Sequence, residues 1–161
     1  MDAATCSKHE ELFTYNEGLM LGAATALANA TASPAYAADA ARFAKHLVEK
    51  QTELKLGRVL VDSCDWGESP CHDCSQFKGI AYRELGRWLR SGLHPYSTLQ
   101  DRVRTLLDDS SAAIWEGRQE GAAWDGPLFG TGWALGSRKS CPPSAASQGS
   151  AAIALLTHAN L

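Results

Sequence analysis

Apolar side chains recur along this chain at the spacing of an α-helix. Leu19, Ala23 and Leu27 fall on one face with Met20 and Ala24 beside them, which predicts a helix over 17–30. Small residues at Gly22, Ala23, Ala24, Ala26 and Ala28 leave room there for a second helix to come close. Ser33-Pro34 then reads as a helix start, Ser33 as cap and Pro34 at the first helical position. Tyr36, Ala40, Phe43, Ala44, Leu47 and Val48 continue it as a stripe over 34–52. The short polar turn between these two helices predicts an antiparallel hairpin. Phe77, Ala81, Leu85 and Trp88 mark a third helix over 77–91, punctuated by Gly92 and Pro95. Leu99, Val103, Leu106, Leu107 and Ile114 mark a fourth over 96–115, and Ile153, Leu155 and Leu156 a last short one over 148–159.

Two stretches lack that period. Residues 57–76 contain a brief β-prone run, Val59-Leu60-Val61, and then a loop with Cys64, Cys71 and Cys74. Residues 116–147 are rich in Gly, Pro and Ser and too long for an ordinary connection, so they are expected to form either a functional loop or a loose one. The fold class is therefore all-α, a single domain across 1–161. Two helical hairpins and a leftover helix are lopsided for a closed bundle.

The bulk numbers narrow the partners. A net charge of −3 and a pI near 5.9 give no basic footprint for nucleic acid. Apolar runs are too short to span a membrane. The start, Met1 to Cys6, has neither the basic nor the apolar region of a secretory signal, so any such signal is expected outside this chain.

Four stretches in order carry a family resemblance. Phe13-Thr14-Tyr15-Asn16-Glu17-Gly18 resembles the "TYN-x-G" signature of glycoside hydrolase family 76, the endo-α-1,6-mannanase family. Ser33-Pro34 with Tyr36 to Ala44 is similar to the helix that follows it in that family. Phe77-Lys78-Gly79-Ile80 with Arg83 resembles its "FKGI…R" motif after a cysteine-containing loop, and Gln148 to Leu156 its closing helix. The resemblance implies an (α/α)6 toroid of which this chain is the second, incomplete half. It also implies a secreted or wall-associated location, and α-1,6-linked mannan as partner, with hydrolysis or transglycosylation as the reaction. No cofactor and no metal are implied.

Glycoside hydrolysis normally needs two carboxyl groups, one to protonate the leaving oxygen and one to attack or activate water. The family's consecutive aspartates lie before the TYN motif, and no such pair precedes Tyr15 here. The catalytic residues are accordingly expected upstream of this chain, which by itself is expected to be inactive. Asp108-Asp109 is adjacent only in sequence. Neighbours on a helix point about 100° apart, and these two are expected to face solvent. For sugar binding the candidates are Tyr15, which can stack on a pyranose face, Asn16, which can both donate and accept, and Lys78 and Arg83. Against this, Asn16 can simply cap its helix, Tyr15 can pack in the core, and Arg83 can pair with a carboxylate. Trp66, Trp124 and Trp133 are either sugar platforms or plugs under loops.

The five cysteines remain. Cys64-x6-Cys71-His72-x-Cys74 admits a zinc site, yet no second knuckle follows. The secretion implied by the resemblance favours a disulfide, assigned to Cys64 and Cys71. Asn29-Ala30-Thr31 is a glycosylation acceptor pattern at Asn29. Two other functions compete with a glycosidase: a non-catalytic carbohydrate-binding or wall-associated module, and a zinc-stabilised interaction domain. Upstream coding sequence with an Asp-Asp pair favours the enzyme, mannan binding without it the module, and stoichiometric zinc the third.

Overall fold

The computed structural model of the protein describes residues 12–53, 58–62, 65, 73–93, 97–120, 126–134 and 142–161. Among them are five α-helices: α1 (Thr14–Thr31), α2 (Pro34–Lys50), α3 (Phe77–Arg90), α4 (Ser97–Glu116) and α5 (Ala145–His158). A 3-10 turn, Asp73–Gln76, leads into α3. The two aperiodic stretches each contribute to an antiparallel pair of two-residue strands. β1 (Thr52–Glu53) pairs with β2 (Val59–Leu60), and β3 (Gln119–Glu120) with β4 (Pro127–Leu128).

Two helix starts differ from the spacing-based expectation, each because of its cap. α5 begins at Ala145 rather than 148 because Ser144 and Ser147 cap each other reciprocally, side chain to backbone in both directions. A serine in place of the usual Glu or Gln at the third position hides that box from a motif reading. α1 begins at Thr14 rather than 17, after Phe13, which has no capping side chain of its own. Its cap comes from far along the chain, as described below.

The helices form an inner row and an outer row. Gly18 of α1 meets Ala81 of α3, and Gly22 meets Glu84, so the two helices advance together. Gly79 of α3 meets Ser150 of α5, and Gly86 meets Thr157, again in step. Hence α1, α3 and α5 run parallel, side by side. The approach is close: a Cβ on Gly18 would sit 2.6 Å from the Cα of Ala81, and one on Gly79 2.8 Å from the backbone of Ser150. Neither position has room for a larger residue.

The outer row is α2 and α4. Glu17 near the start of α1 pairs with His46 near the end of α2 at 2.8 Å, which sets α2 antiparallel to α1. α4 is fastened by the Tyr82 hydroxyl, which donates to the Leu107 carbonyl at 2.8 Å. The Leu60 amide of β2 donates to Ser110 at 3.0 Å, and Arg102 pairs with Glu49 of α2 at 3.3 Å. Between the rows lies one core containing Leu47, Leu60, Leu85, Trp88, Val103, Leu106 and Leu107. The result is an arc of α/α hairpins, part of a toroid.

Two apolar stripes do not face that core. On α1 the buried residues are Leu21 and a set of small ones, Gly18, Ala24, Thr25 and Ala28. Leu19, Met20 and Leu27 are 49, 54 and 45% exposed. Met20 and Leu27 border an open groove of about 480 Å³ between α1 and α2 that also touches Tyr36 and Phe43. On α5, Ser147, Ser150, Ala151, Ala154 and Thr157 are buried, whereas Leu156 is exposed. The helical period was legible in both; apart from Leu21, the inward face belongs to residues small enough to let parallel backbones meet.

Candidate functional site

Because the inner helices are parallel, their starts share one end of the arc. Three aromatic rings gather there. Tyr15 lies 4.2 Å from Phe77, centroid to centroid, tilted by 41°, and Phe13 meets the same Phe77 edge-on at 5.5 Å. All three rings are part-exposed, and Asn16 beside them is exposed. A part-exposed aromatic cluster next to an open amide is chemistry suited to a sugar, whose ring has an apolar face and a hydroxyl rim.

Beneath the rings is a buried polar chain. The Asp62 carboxylate accepts the Thr14 amide at 3.0 Å and the Thr14 hydroxyl at 2.6 Å. This remote carboxylate therefore caps α1, where it also meets the positive end of the helix dipole. The Asp62 amide donates to the Asp65 carboxylate at 2.9 Å, and the Asp65 amide to the Asp62 carbonyl at 3.0 Å. The other Asp65 oxygen pairs with the ammonium of Lys78, in the first turn of α3. Asp62, Asp65 and Lys78 are all at least 97% buried. Burial holds the Asp62 carboxyl above its usual range, against the pull of the Thr14 bonds and of Lys78.

Residues 126–134 close over this end. The Lys78 ammonium lies 5.4 Å from the Trp133 ring centre, and Trp133 packs edge-on to Tyr82. Tyr82 is pushed up to about 12 by burial. Ser75 and Thr131 share a hydrogen bond at 3.1 Å, and the Ser147 hydroxyl donates to the Phe129 carbonyl at 2.7 Å. This part of the expected 116–147 loop is thus seated on the starts of α3 and α5.

The expected site residues divide. Tyr15 and Asn16 are at this end, and Asn16 is not the helix cap, since Phe13 holds that position. Lys78 lies close by yet points inward: at 2% exposure, with its ammonium committed to Asp65, it meets the scaffold and not a cleft. Arg83 is farther along α3, with its side chain 44% exposed and paired at 2.8 Å with the buried Glu84, which Arg87 also approaches at 3.2 Å. Trp133 is a plug, 3% exposed. Asp108 and Asp109 lie on α4 in the outer row; Asp108 is exposed, while Asp109 is half-buried and accepts the Arg58 amide at 3.0 Å. Asn29 is exposed in the last turn of α1.

Cys64, Cys71, His72, Trp66 and Trp124 lie outside the described residues. Cys74, within them, is disulfide-bonded. Among the described residues no group of three His, Cys, Asp or Glu is placed to hold a metal, and no helix is long and apolar enough to cross a membrane. The sequence reading missed Asp62 and Asp65. Nothing in a stretch such as Asp62-Ser63-Cys64-Asp65 distinguishes a buried capping carboxylate from a solvated loop residue.

The glycosyl hydrolase family 76 profile matches residues 1–160. The chain belongs to that family. Its fold is similar to the GH76A α-1,6-mannanase from Salegentibacter sp. HEL1_6, with a TM-score of 0.72 at 22% identity over 94% of this chain. Two inactive variants of that mannanase, each with two adjacent aspartates substituted, also match. One is in complex with α-1,6-mannotriose (TM-score 0.72, 22% identity) and the other with α-1,6-mannotetrose (TM-score 0.71, 24% identity), each over 92% of this chain. This chain spans 40% of the length of each of these structures. No curated protein sequence matches it. The five-helix arc is therefore the fold of part of a family 76 toroid.

Proposed function

We propose that this chain forms the α-1,6-mannan-binding wall of a secreted or wall-associated family 76 glycosidase, and that alone it does not turn substrate over. The observation that carries this reading is the gathering of Tyr15, Phe77 and Asn16 at the common start of the inner helices. Family membership and the mannooligosaccharide complexes of the matched mannanase support α-1,6-mannan as the ligand. The exposed Asn29 and the disulfide at Cys74 support an oxidising, extracellular setting.

A wall of this kind can bind and orient a chain of mannose units by stacking and by hydrogen bonds to hydroxyls. Cleavage needs an acid and a nucleophile or base on either side of the glycosidic bond. Neither Asp62 nor Asp65 fits those roles, because both are buried and already spent on Thr14 and Lys78. Asp108 and Asp109 lie on the outer row, away from the aromatic end.

The test is to express residues 1–161 and measure both reducing-end release from linear α-1,6-mannan and binding of α-1,6-mannotetraose. Binding without release is expected, weakened in Tyr15→Ala and unaffected by Asp108→Asn with Asp109→Asn. Turnover that disappears in the aspartate variant would make Asp108-Asp109 catalytic and overturn the reading.

A further inference from the structure

The aromatic wall stands on two helix starts that are not joined by neighbouring sequence. Besides the packing of Gly18 on Ala81, they are joined by a chain of contacts from Thr14 through Asp62 and Asp65 to Lys78. We infer that Asp62 is a positioning residue for the carbohydrate-binding wall: by pinning Thr14 and leaning on Asp65–Lys78, it fixes the spacing between Tyr15 on α1 and Phe77 on α3.

Three features support this. First, α1 has no local cap, so the Asp62 carboxylate supplies the order of its first turn, which carries Tyr15 and Asn16. Second, both Thr14 donors converge on a single oxygen, Oδ2, which constrains the turn in direction as well as distance. Third, the far end of the chain of contacts is Lys78, the immediate neighbour of Phe77. A shift at Asp62 therefore moves one ring of the wall relative to the other. Asp62 acts through these contacts and touches no sugar itself; the inference rests on the wall being the binding surface proposed above.

The experiment compares the whole 161-residue chain with its Asp62→Ala, Asp62→Asn and Thr14→Val variants. Amide exchange is read residue by residue, with the Tyr15 ring-proton shifts, which the nearby Phe77 ring perturbs, and with α-1,6-mannotetraose binding. In Asp62→Ala, exchange at residues 14–17 is expected to rise about tenfold, the size of a lost cap. The Tyr15 shifts should move while α4 stays protected, and binding should weaken by a similar factor. Thr14→Val should do the same to a smaller degree. Asp62→Asn keeps an acceptor oxygen at the same place and should restore the Tyr15 shifts. If Asp62→Ala does not fold, the Thr14→Val and Asp62→Asn pair carries the test alone. Unchanged exchange and ring shifts overturn the inference, as does loss of protection spread evenly into α4. If the unsubstituted chain binds no mannotetraose, the functional reading fails, while the exchange and ring data still decide the role of Asp62.

Discussion

The two long sides of α1 differ in a way that reverses the usual rule. The buried side carries Gly18, Leu21, Ala24, Thr25 and Ala28, with Gly18 against Ala81 of α3, whereas the other side carries Leu19, Met20 and Leu27 and is about half exposed. Of Leu19, Met20, Leu21 and Leu27, only Leu21 is inside. Parallel helices in contact at Gly18 need backbones close together, and bulk on that side would hold them apart. The bulkier stripe is suited to an interdigitating surface of the kind that flanks each hairpin in a toroid. Side-chain size, more than hydrophobicity, decides which side of an inner helix faces its neighbour.

The closed side should prove fragile and the open side tolerant. The largest effect is expected at the base of the closed end. Asp65→Ala leaves the Lys78 ammonium buried without its partner and should cost about 3–5 kcal/mol in urea unfolding. The double variant Asp65→Leu/Lys78→Met should recover most of that loss; no recovery would mean the pair does more than offset its own burial. Next, Gly18→Ala drives a methyl into the Ala81 backbone and should cost about 1–3 kcal/mol. A neutral result would show that the α1–α3 seam can open.

A smaller, pH-dependent effect is expected at Asp62. Burial raises its carboxyl above the usual value, so the folded protein holds that proton more tightly than the unfolded chain does. Its contribution to stability is then full below the unfolded value near 4 and is lost as pH rises through the folded value. Urea midpoints of the unsubstituted protein relative to Asp62→Asn should therefore increase from pH 7 toward pH 4. A difference that shrinks over that interval would contradict the sign. The smallest effect is expected on the open side, where Leu19→Gln and Met20→Gln should change stability by no more than about 0.5 kcal/mol. Their visible consequence should be less self-association in sedimentation, since they remove an exposed apolar patch.

The helices were legible in the sequence because each has its own 3.6-residue period, and α4, with all of Leu99, Val103, Leu106, Leu107 and Ile114 buried, was readable outright. The inward side of α1 and α5 was not, because small residues carry little pattern. Tyr15 and Asn16 could be placed through a motif resemblance. The inward turn of Lys78 could not, since it depends on Asp65, a residue thirteen positions away in an aperiodic loop. The cap of α1 was hidden for the same reason: Asp62 is separated from Thr14 by 48 positions.

That remote cap bears on the order of events when the chain folds. Asp62 reaches Thr14 across 48 residues, and the Ser150 hydroxyl accepts the Gly79 amide across 71. Individual helices form in about a microsecond, but contacts this distant must first close long loops, and a high mean sequence separation slows folding. During synthesis at about 5–20 residues per second, α1 waits several seconds for its cap to be made. Throughout that interval its first turn lacks the Asp62 cap and its core-facing side, Leu21 included, is uncovered.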